Sequence, residues 1–464
     1  MSRASSKKLW GGRFSRPTHA AIERFTRSLS VDSRLARHDL LGSIAHARML
    51  GSARIIPLKD SQRLVRALQA LLGDVEKGRF RPDPAAEDIH SAIQTALEKK
   101  GPGAAQRLHA ARSRNDQVVT ALRLYCGEQG WNLNAAVKSI QKELVRQADA
   151  VQEILMPGYT HLRHAQPVLL SHVLLSYVEM LQRDRDRIWL AAGRGMLELP
   201  LGSGALAGTG LPIDRQAVAR ELGFTGLKEN SIDAVSDRDF AVEFLSALAL
   251  LSTHLARIAE ELILWSTAEF GFLSFDEQVL TGSSMMPQKQ NPDFLELTRA
   301  GSARIIGHLS ALLIVLKGLS SGYQRDLQLD KGILFEAMDE TAGMLAVLEI
   351  GFQGIRWNRQ AMAAQLKDES LYATDLAEYL VAKGVPFSKA HRAVGRLLAH
   401  ADRKKSGLKN LPLPAYRKFS PEFGPEVRRL IDPAVSVRRK VSPGSTNPSQ
   451  VARQIRRWKA LLKG

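Results

Sequence analysis

The stretch SDRDFAVEFLSALALLSTHLARIAEELILW, residues 236–265, decides how this chain folds. After its polar start, apolar side chains recur at spacings of three and four, at Leu245, Leu248, Leu251, Leu255, Ile258, Leu262 and Trp265. That spacing places them on one face of an α-helix. At 1.5 Å per residue, a helix of roughly 30 residues is about 45 Å long. Such a length suits a helix that runs through an elongated bundle.

Further long helices are predicted after Ser113, after Pro167 and after Pro292, and together with the first they make a central antiparallel bundle. The pattern therefore predicts an all-α fold in three domains. Broad apolar faces on long helices also favour oligomerisation, because one chain can seldom cover them. The predicted domains are an N-terminal helical domain with an extended arm, a central helix bundle and a small basic helical domain, at residues 1–112, 113–364 and 365–464.

The N-terminal domain should contain helices around Ala21–Arg27, Leu35–Ser52 and Ser61–Lys77. Two histidines, His46 and His90, lie on or near these helices. Each could be catalytic, but a surface or packing role is the commoner one for a lone histidine.

Bulk composition indicates a soluble globular protein. The chain has 464 residues, of which 44% are hydrophobic and 24% charged, and both fractions are ordinary. Its single cysteine, Cys126, excludes an intrachain disulfide framework and a cysteine-based zinc site. The first residues lack the apolar core of a signal peptide, and no run approaches the apolar length that spans a bilayer. We therefore expect a cytoplasmic protein without a membrane partner.

The net charge of +18 is unusual, and most of the excess lies near the C-terminus. From position 361 onward there are 21 Lys and Arg against 8 Asp and Glu, an excess of 13. Such a segment could contact nucleic acid or could be a solvated basic surface. Aromatic interleaving and a recognisable nucleic-acid module are both missing, which favours the solvated surface.

A second stretch, GSSMMPQKQNPD at 282–293, predicts a mobile loop that ends by starting a helix. Asn291 is a good N-cap and Pro292 suits the first helical position. The loop also carries a hydroxyl at Ser283 and a cation at Lys289. Together with free backbone N–H groups these form a candidate site for anions, although an ordinary surface loop has the same residue types.

Three more polar segments interrupt the apolar helices. In Arg112–Gln117, the spacing of Ser113 and Asp116 fits a capping box that opens a long helix, and its donors suit carboxylates. Tyr159–Pro167 reads as a polar loop before an apolar helix, and Gly322–Lys331 as a polar turn. Each is a candidate site segment.

Nothing in the sequence indicates a cofactor. The glycine-rich Gly202–Gly210 follows no predicted strand and has the wrong spacing for a dinucleotide loop. No phosphate loop and no dense cluster of His, Asp and Glu ligands is present. We therefore expect neither a nucleotide cofactor nor a metal.

The loop at 282–293 resembles the G-S-S-x-M-P-x-K-x-N-P signature of the fumarase/aspartase superfamily, whose members cleave a C–N or C–O bond β to a carboxylate and release fumarate. The rest of the chain is most similar to the argininosuccinate-cleaving family of that superfamily. The similar segments are Leu9–Phe14, Arg112–Gln117, Tyr159–Leu162, Asn230–Asp239 and Ser442–Thr446. The resemblance implies an all-α homotetramer whose sites combine several subunits, with no cofactor and argininosuccinate as substrate.

It also implies roles for individual residues. Ser283 would remove the proton beside a carboxylate, and Lys289 would stabilise the aci-carboxylate that forms. His161 would lie near the leaving nitrogen, oriented by Glu296. The remaining residues would bind substrate: Ser113, Arg114, Asn115 and Thr160 on the succinyl side, Ser28, Asp32, Tyr323, Gln328 and Lys331 on the arginine side, and Asn291 with no side assigned.

Two departures from that family keep other interpretations open. Ala110-Ala111 stands where the family usually has Thr-Gly, and Arg163-His164 stands for the usual Gln-Arg. Replacing glycine by alanine narrows the backbone freedom beside the first site segment. The chain could therefore be a lyase for another amino-succinyl compound or a catalytically silent homologue. Because every residue assigned to the chemistry is intact, the silent homologue is disfavoured.

Overall fold

The computed structural model of the protein describes residues 16–463, so the predicted arm Leu9–Phe14 lies outside the described residues. The structure is 67% helical with 6% strand, which confirms the all-α prediction. Its α-helices are α1 Ala20–Thr26, α2 Leu29–Asp32, α3 Ala36–Ser52, α4 Leu58–Glu76, α5 Ile89–Lys100, α6 Arg114–Ala150, α7 Leu170–Gly195, α8 Arg215–Leu222, α9 Ser231–Ser236, α10 Asp239–Ser266, α11 Asp293–Leu316, α12 Asp330–Gln353, α13 Arg359–Gln365, α14 Ala373–Ala382, α15 Phe387–Lys404, α16 Leu413–Arg417, α17 Pro433–Arg439 and α18 Pro448–Leu461.

The strands are short and form two-stranded pairs. Three pairs are antiparallel, β1 with β2, β5 with β8 and β6 with β7, and the pair of β3 with β4 is parallel. Their bounds are β1 Leu155–Thr160, β2 Arg163–Leu169, β3 Glu198–Leu199, β4 Gly226–Leu227, β5 Leu273–Phe275, β6 Thr281–Gly282, β7 Gln290–Asn291 and β8 Ile355–Trp357.

The helix predicted from the opening stretch is α10, with 28 residues. All seven apolar positions named for it are at most 2% exposed, so the spacing of three and four identified the buried face correctly. It is not the longest helix, because α6 runs for 37 residues. The three N-terminal helices predicted from the sequence correspond to α1, α3 and α4, with ends shifted by up to three residues.

The described chain divides into two compact units, and the three domains remain a prediction. Unit 1 contains residues 16–132, 188–248 and 306–339, and unit 2 contains 133–187, 249–305 and 340–463.

In unit 1, helices α3 and α4 pack closely, with Leu40, Leu50 and Leu68 fully buried. A Cβ on Gly51 would lie 2.4 Å from the Ser61 hydroxyl oxygen, so this contact requires glycine. Cys126 is also buried in unit 1, and burial raises the pKa of its thiol.

The C-terminal part of unit 2 has its own apolar core around α14 and α15. Leu376, Leu380 and Leu397 are fully buried and pack with Phe423. Tyr416 is fully buried too, and its hydroxyl donates to the Leu408 carbonyl. This tyrosine satisfies its polar end inside the core, as a buried phenol requires.

Tyr159–Pro167, predicted to be a polar loop, is instead part of the β1–β2 hairpin. The two strands pair from Leu155 opposite Leu169 to Thr160 opposite Arg163, with an irregularity between Pro157 and Tyr159. A two-residue turn normally contains Asn-Gly or a similar pair, and the sequence has neither here. The usual sequence signal for a hairpin was therefore absent.

The start of α11 also differs from its prediction by a small shift. Asn291 is not the N-cap, because it pairs with Thr281 in the short ladder of β6 and β7. The helix begins at Asp293, and the Pro292 carbonyl accepts hydrogen bonds from the N–H groups of Leu295 and Glu296. The ladder holds the base of the 282–293 loop closed, which the sequence did not indicate.

Two helices, α10 and α11, are long and apolar enough by length and composition to cross a membrane, contrary to the expectation from the sequence. In α10, 61% of the apolar window is buried inside the chain, as in the core helix of a soluble protein. In α11 only 17% is buried, and Leu297 and Ile314 are 69% and 64% exposed. The apolar surface of α11 is thus left uncovered by its own chain.

Candidate active site

The Ser283 hydroxyl lies in a tight turn on the exposed loop between β6 and β7. Its Oγ accepts hydrogen bonds from the backbone N–H groups of Met285, at 3.3 Å, and Met286, at 3.1 Å. The Met285 side chain is 88% exposed, so the turn faces solvent. Two donors directed at one oxygen stabilise negative charge on it. This geometry suits a serine that removes a proton.

Lys289 closes the same turn. Its backbone N–H donates to the Met286 carbonyl at 3.1 Å, while its side chain is exposed. Its ammonium has no hydrogen-bond or ion-pair partner in the part of the chain that the structure describes. Glu296, in the first turn of α11, is exposed as well, whereas Asn291 is half-buried in its ladder. The loop and the first turn of α11 therefore present a cation and a carboxylate to solvent.

His161 lies at the tip of the β1–β2 hairpin. Thr160 pairs with Arg163, which leaves His161 and Leu162 as a two-residue turn with φ of 54° and 57°. Positive φ at both positions is the pattern of a type I′ turn, which favours glycine and asparagine. Left-handed backbone at two residues that are neither is a strained conformation of the kind found at functional sites. His161 is exposed and Leu162 is 76% exposed.

The hairpin below this tip is firmly attached to other parts of unit 2. His164 Nδ1 lies 2.7 Å from Asp368 Oδ2, and the Thr446 hydroxyl accepts a hydrogen bond from the Leu169 N–H at 2.8 Å. Burial raises the pKa of Asp368, but hydrogen bonds from Ser370 and His164 outweigh it and leave the pKa lowered. The unusual His164 thus supports the hairpin that carries His161.

Among the described residues, no hydrogen bond or ion pair links His161 with Glu296. The predicted orientation of His161 by Glu296 is therefore not formed within unit 2, which contains both residues. It remains a prediction.

The start of α6 confirms the predicted capping pattern. The Ser113 N–H donates to Asp116 Oδ1 at 3.0 Å, and the Asn115 N–H donates to Ser113 Oγ at 3.3 Å. The Asn115 amide also donates to the Ala205 carbonyl at 3.0 Å. These contacts fix the backbone at the N-terminus of a helix, where the orientation of the peptide groups favours carboxylates.

Arg114 is held beside this helix start by two groups near α5. Its Nη2 donates to the Ser91 hydroxyl at 3.2 Å, and its Nε lies 3.4 Å from Asp88 Oδ2. Its Nη1 is buried without a hydrogen-bond partner in residues 16–463. A guanidinium with an unused buried donor suits the carboxylate that the resemblance assigns to it.

Asp116 is a positioning residue that the sequence suggested only as a cap. It is fully buried, and its Oδ2 accepts hydrogen bonds from the N–H groups of Gly202 and Gly204, each at 2.9 Å. Both glycines have positive φ, at 94° and 61°. Burial raises the pKa of Asp116 to about 6, although these hydrogen bonds oppose the shift. The glycine-rich segment rejected as a nucleotide loop thus binds the base of the α6 N-terminus.

Ser28 and Asp32 form a buried pair. Ser28 Oγ donates to Asp32 Oδ2 at 2.6 Å, and the Ile89 N–H donates to Asp32 Oδ1 at 3.0 Å. Burial raises the pKa of Asp32, and the nearby Asp88 adds to the effect. Lys331 opposes it by electrostatic attraction. The carboxylate is therefore already oriented, with a cation close by.

Lys331 belongs to a buried charge cluster that includes two residues missed in the sequence. Its ammonium donates to Asp330 Oδ1 at 2.6 Å and to the Leu327 carbonyl at 3.2 Å. Arg238 donates from its Nε to the second oxygen of Asp330. Burial raises the pKa of Asp330, but the two cations outweigh it and leave the pKa lowered. All three residues are at most 3% exposed.

Gln328 and Tyr323 complete the segment. The Gln328 amide donates to the Thr26 carbonyl at 3.3 Å, and Arg325 donates to the same carbonyl at 2.7 Å. Burial raises the pKa of the Tyr323 phenol. The predicted polar turn is thus tied to the end of α1 by two side chains.

Ala111, one of the departures from the family pattern, has φ of 58°. A non-glycine residue in this left-handed region is strained, and glycine would relieve the strain. The neighbouring Ala110 carbonyl lies 2.9 Å from His46 Nε2, and Arg112 donates to the Ser43 hydroxyl at 2.8 Å. Partly buried polar contacts on both sides therefore hold Ala111 in place.

Three histidines are packed behind this segment. Burial lowers the pKa of His46 to about 3 and that of His109 to about 4. His90 is 2% exposed, and its Nδ1 lies 3.0 Å from Asp39 Oδ1. His46 and His90 are thus packing residues, one of the two roles expected for them from the sequence.

The predicted site residues fall into two sets. Unit 1 contains one set, which consists of Ser28, Asp32, Ser113, Arg114, Asn115, Tyr323, Gln328 and Lys331. Unit 2 contains the other, which consists of Thr160, His161, Ser283, Lys289, Asn291 and Glu296. Across residues 16–463, no group of three or more His, Cys, Asp and Glu side chains could bind a metal ion.

Comparisons with known proteins identify relatives of the whole chain. Residues 12–307 match a family described as lyase, and residues 370–438 match the argininosuccinate lyase C-terminal family. The argininosuccinate lyase of Moorella thermoacetica is 45% identical over 457 residues, which are 98% of both chains. That of Symbiobacterium thermophilum is 46% identical over 449 residues, which are 97% of both.

Solved structures extend the comparison to the fold. An EDDS lyase variant with bound fumarate has a TM-score of 0.82 and 26% identity, covering 93% of this chain and 87% of its own. The class II fumarase of Schistosoma mansoni has a TM-score of 0.73 and 16% identity, and the match covers 89% of this chain and 92% of its own. At this identity the comparison supports the fold alone.

The helical fold, the serine–lysine loop and the hairpin histidine together define a lyase of the fumarase/aspartase superfamily. The match of residues 370–438 to the argininosuccinate lyase C-terminal family, and the relatives at about 45% identity, identify one family within this superfamily. The chain belongs to the argininosuccinate lyase family.

Proposed function

We propose that this enzyme cleaves argininosuccinate reversibly to arginine and fumarate. The observation that carries the proposal is the near-complete alignment with argininosuccinate lyases, at 45% identity over 98% of the chain. The presence of Ser283, Lys289, His161 and Glu296, the residues assigned to the chemistry, also supports it. The proposed compartment is the cytoplasm.

Ser283 is the base in the proposed mechanism. Its oxygen takes the proton from the carbon beside one carboxylate of the succinyl group, and the electrons move into that carboxylate. A serine oxygen is a weak base unless its anion is stabilised. The N–H groups of Met285 and Met286 already donate to this oxygen and supply part of that stabilisation.

The intermediate has a doubly negative aci-carboxylate, and Lys289 is its counter-ion in this proposal. An ammonium with no competing ion pair among the described residues is available for that role. When the C–N bond breaks, the arginine nitrogen takes up a proton and fumarate remains. His161 lies near this nitrogen in the proposal, and the residue that donates the proton stays open.

Substrate binding uses two groups of donors and acceptors. Ser113, Arg114 and Asn115, at the start of α6, bind the succinyl carboxylates, helped by Thr160 and Asn291. The buried carboxylate of Asp32, together with Ser28, Tyr323, Gln328 and Lys331, binds the arginine part. Charge-assisted hydrogen bonds of this kind are the strong ones in a recognition site.

We also propose that the enzyme is a homotetramer in which several copies contribute to each site. The exposed apolar side chains of α11, Leu297, Leu313 and Ile314, support this proposal, since an apolar surface of this kind is typical of a protein interface. The exposed and unpartnered side chains at the hairpin tip and on the serine loop support it as well. Light scattering of the purified protein would measure the mass, and a monomeric mass would contradict the proposal.

The activity is tested by adding argininosuccinate to the purified protein and following the ultraviolet absorbance of fumarate. A steady rise is expected, with arginine formed in equal amount. A panel of other N-succinyl amino compounds tests the alternative substrate that Ala111 and His164 leave open. Fumarate release from another panel member but not from argininosuccinate would contradict the proposal.

A further inference from the structure

A cavity of about 370 Å³ in unit 2 contains none of the predicted site residues. Its apolar side chains are Leu155, Ala363, Leu366, Tyr372 and Pro433. The Tyr372 hydroxyl donates to the Leu366 carbonyl at 2.9 Å, so it is already satisfied. Apolar and charged side chains line the cavity in equal number, and its volume is within the range of small-molecule sites.

Apart from the Tyr372 hydroxyl, the polar side chains of this cavity are all charged. Three are cations, Arg359, Lys367 and Lys409, and two are the carboxylates of Glu153 and Glu369. In residues 16–463, none of these five side chains forms an ion pair. The cavity therefore has a formal charge of +1, and its charges do not neutralise one another in direct contacts.

Glu369 is the most firmly held of these groups. Its Oε2 accepts a hydrogen bond from the Lys409 N–H at 3.1 Å. A Cβ on Gly407 would lie 2.9 Å from the same oxygen, so the carboxylate packs against bare backbone. A fixed carboxylate beside three unpaired cations suits a ligand that carries both signs of charge.

The cavity also adjoins the hairpin that carries His161. Leu155 is the first residue of β1, and it pairs with Leu169 of β2. Lys367 and Glu369 flank Asp368, whose carboxylate is bonded to His164 on β2. A ligand on these side chains would therefore contact both the base of the hairpin and the segment that supports it.

We propose that this cavity binds an α-amino dicarboxylate. Its two carboxylates lie on Arg359, Lys367 and Lys409, and its ammonium lies on Glu369 and Glu153. The net charge of such a ligand is −1, which complements the cavity. Binding changes how strongly Asp368 holds the hairpin, and so alters turnover at His161. This second effect rests on the proposed lyase activity, whereas binding itself does not.

Binding is tested by calorimetric titration of the full-length protein with L-glutamate. Saturable binding at one site per chain is expected. Glutarate lacks the ammonium, and L-glutamine lacks the second carboxylate. Each should bind at least about tenfold more weakly than L-glutamate, because one charge-assisted contact is lost. Affinity for glutarate equal to that for L-glutamate, or no binding of L-glutamate, would overturn the proposal.

The site is located with a double variant, Lys367→Gln with Lys409→Gln. Its matched control is Lys389→Gln with Lys418→Gln, which removes the same charge from exposed positions in unit 2. L-Glutamate binding should be lost in the first variant and kept in the control. Equal affinity in both variants would place any binding elsewhere and overturn the assignment.

The effect on turnover is measured separately, with argininosuccinate as substrate. Saturating L-glutamate should change kcat for the wild type and leave the double variant unchanged. A change of the same size in both would show that L-glutamate acts elsewhere, for instance at the active site. If fumarate is never released, the proposed function fails, while the calorimetric result still decides whether the cavity binds.

Discussion

In unit 1, the side chains proposed to hold the substrate are buried or half-buried and mostly bonded to their neighbours, whereas Ser283, His161 and Lys289 of unit 2 lie on exposed turns. Asp32 and Lys331 are 2% and 3% exposed, with two internal hydrogen bonds each. His161 and Lys289 are exposed, and their side chains have no hydrogen bond in the described chain. In unit 1, much of the proposed binding geometry is thus already formed by contacts within the chain. In unit 2, contacts within the described residues do not fix these two side chains.

This contrast predicts that Ser283→Ala removes activity without affecting stability. Turnover should fall about 10²–10⁴-fold, because the base is lost. The free energy of unfolding should stay within about 0.5 kcal/mol of wild type, since Ser283 lies on an exposed turn. Steady-state kinetics and urea unfolding measure the two quantities. Ser284→Ala, at an exposed neighbour, is the control, and near-normal turnover in Ser283→Ala would contradict the base role.

In unit 1, the same comparison predicts that stability and activity fall together. Asp330→Asn leaves Arg238 and Lys331 buried without a full counter-charge, which should cost about 3–5 kcal/mol of unfolding free energy. Asp339→Asn is a matched control on the same helix, because Asp339 pairs with Arg34 at a position where its side chain is 56% exposed. That control should cost about 0–1 kcal/mol. If urea unfolding showed the same loss of free energy for Asp330→Asn and Asp339→Asn, the buried and the exposed ion pairs would not differ in their contribution to stability.

The buried histidines of unit 1 should make stability depend on pH. The pKa of His46 is about 3 in the folded chain, below the ordinary 6.5, so its contribution is full above pH 6.5 and is lost as pH falls toward 3. Between pH 7 and pH 4.5 the contribution of His46 to the free energy of unfolding should therefore fall by about 3 kcal/mol. Asp116 acts oppositely, because its raised pKa of about 6 adds stability as pH falls.

The measurement is urea unfolding at pH 7 and pH 4.5 for wild type, His46→Gln and His391→Gln. His46→Gln should reduce the loss at low pH, and the exposed His391 should not matter. An unchanged pH dependence in His46→Gln would show that another group causes it.

The smallest effects should come from the left-handed residues, Ala111 in unit 1 and Leu162 in unit 2. Glycine at either position should stabilise the fold by about 1 kcal/mol, because left-handed backbone costs alanine and leucine more than glycine. Ala111→Gly should keep its turnover. Leu162→Gly should lower turnover, since a relaxed turn holds His161 less firmly. Lys405→Gly replaces another left-handed residue, at the C-terminal end of α15, and is the control for the effect of glycine on stability.

Thermal unfolding and steady-state kinetics on these three variants separate strain from function. A loss of turnover in Ala111→Gly equal to that in Leu162→Gly would mean that the two turns have the same role. It would also weaken the contrast between the two units.

The sequence predicted the long helices well, because their apolar spacing depends only on which face is buried. For α10 every named apolar position proved buried. The capping pattern at Ser113 and Asp116 was also correct, since it involves residues close together in sequence. The loop at 282–293 and its neighbours were recognised through their resemblance to a family.

What the sequence missed depends on contacts between distant segments. The bond of Asp116 to Gly202 spans 86 positions, and the pair of Arg238 with Asp330 spans 92. The β1–β2 hairpin was missed for another reason, because its turn contains His161 and Leu162 where glycine or asparagine is usual. Local patterns and the family resemblance therefore suggested the site segments, which stay a prediction, and the contacts that support these segments became visible only in three dimensions.

The burial of Cys126 has a practical consequence for spectroscopy. It is the chain's single thiol, it is 1% exposed, and its raised pKa keeps it protonated and unreactive. Maleimide dyes and thiol-reactive spin labels would therefore not react with the folded protein. A cysteine introduced at the hairpin tip or on the serine loop would take up such a probe selectively, and its signal would report changes in the surroundings of that turn.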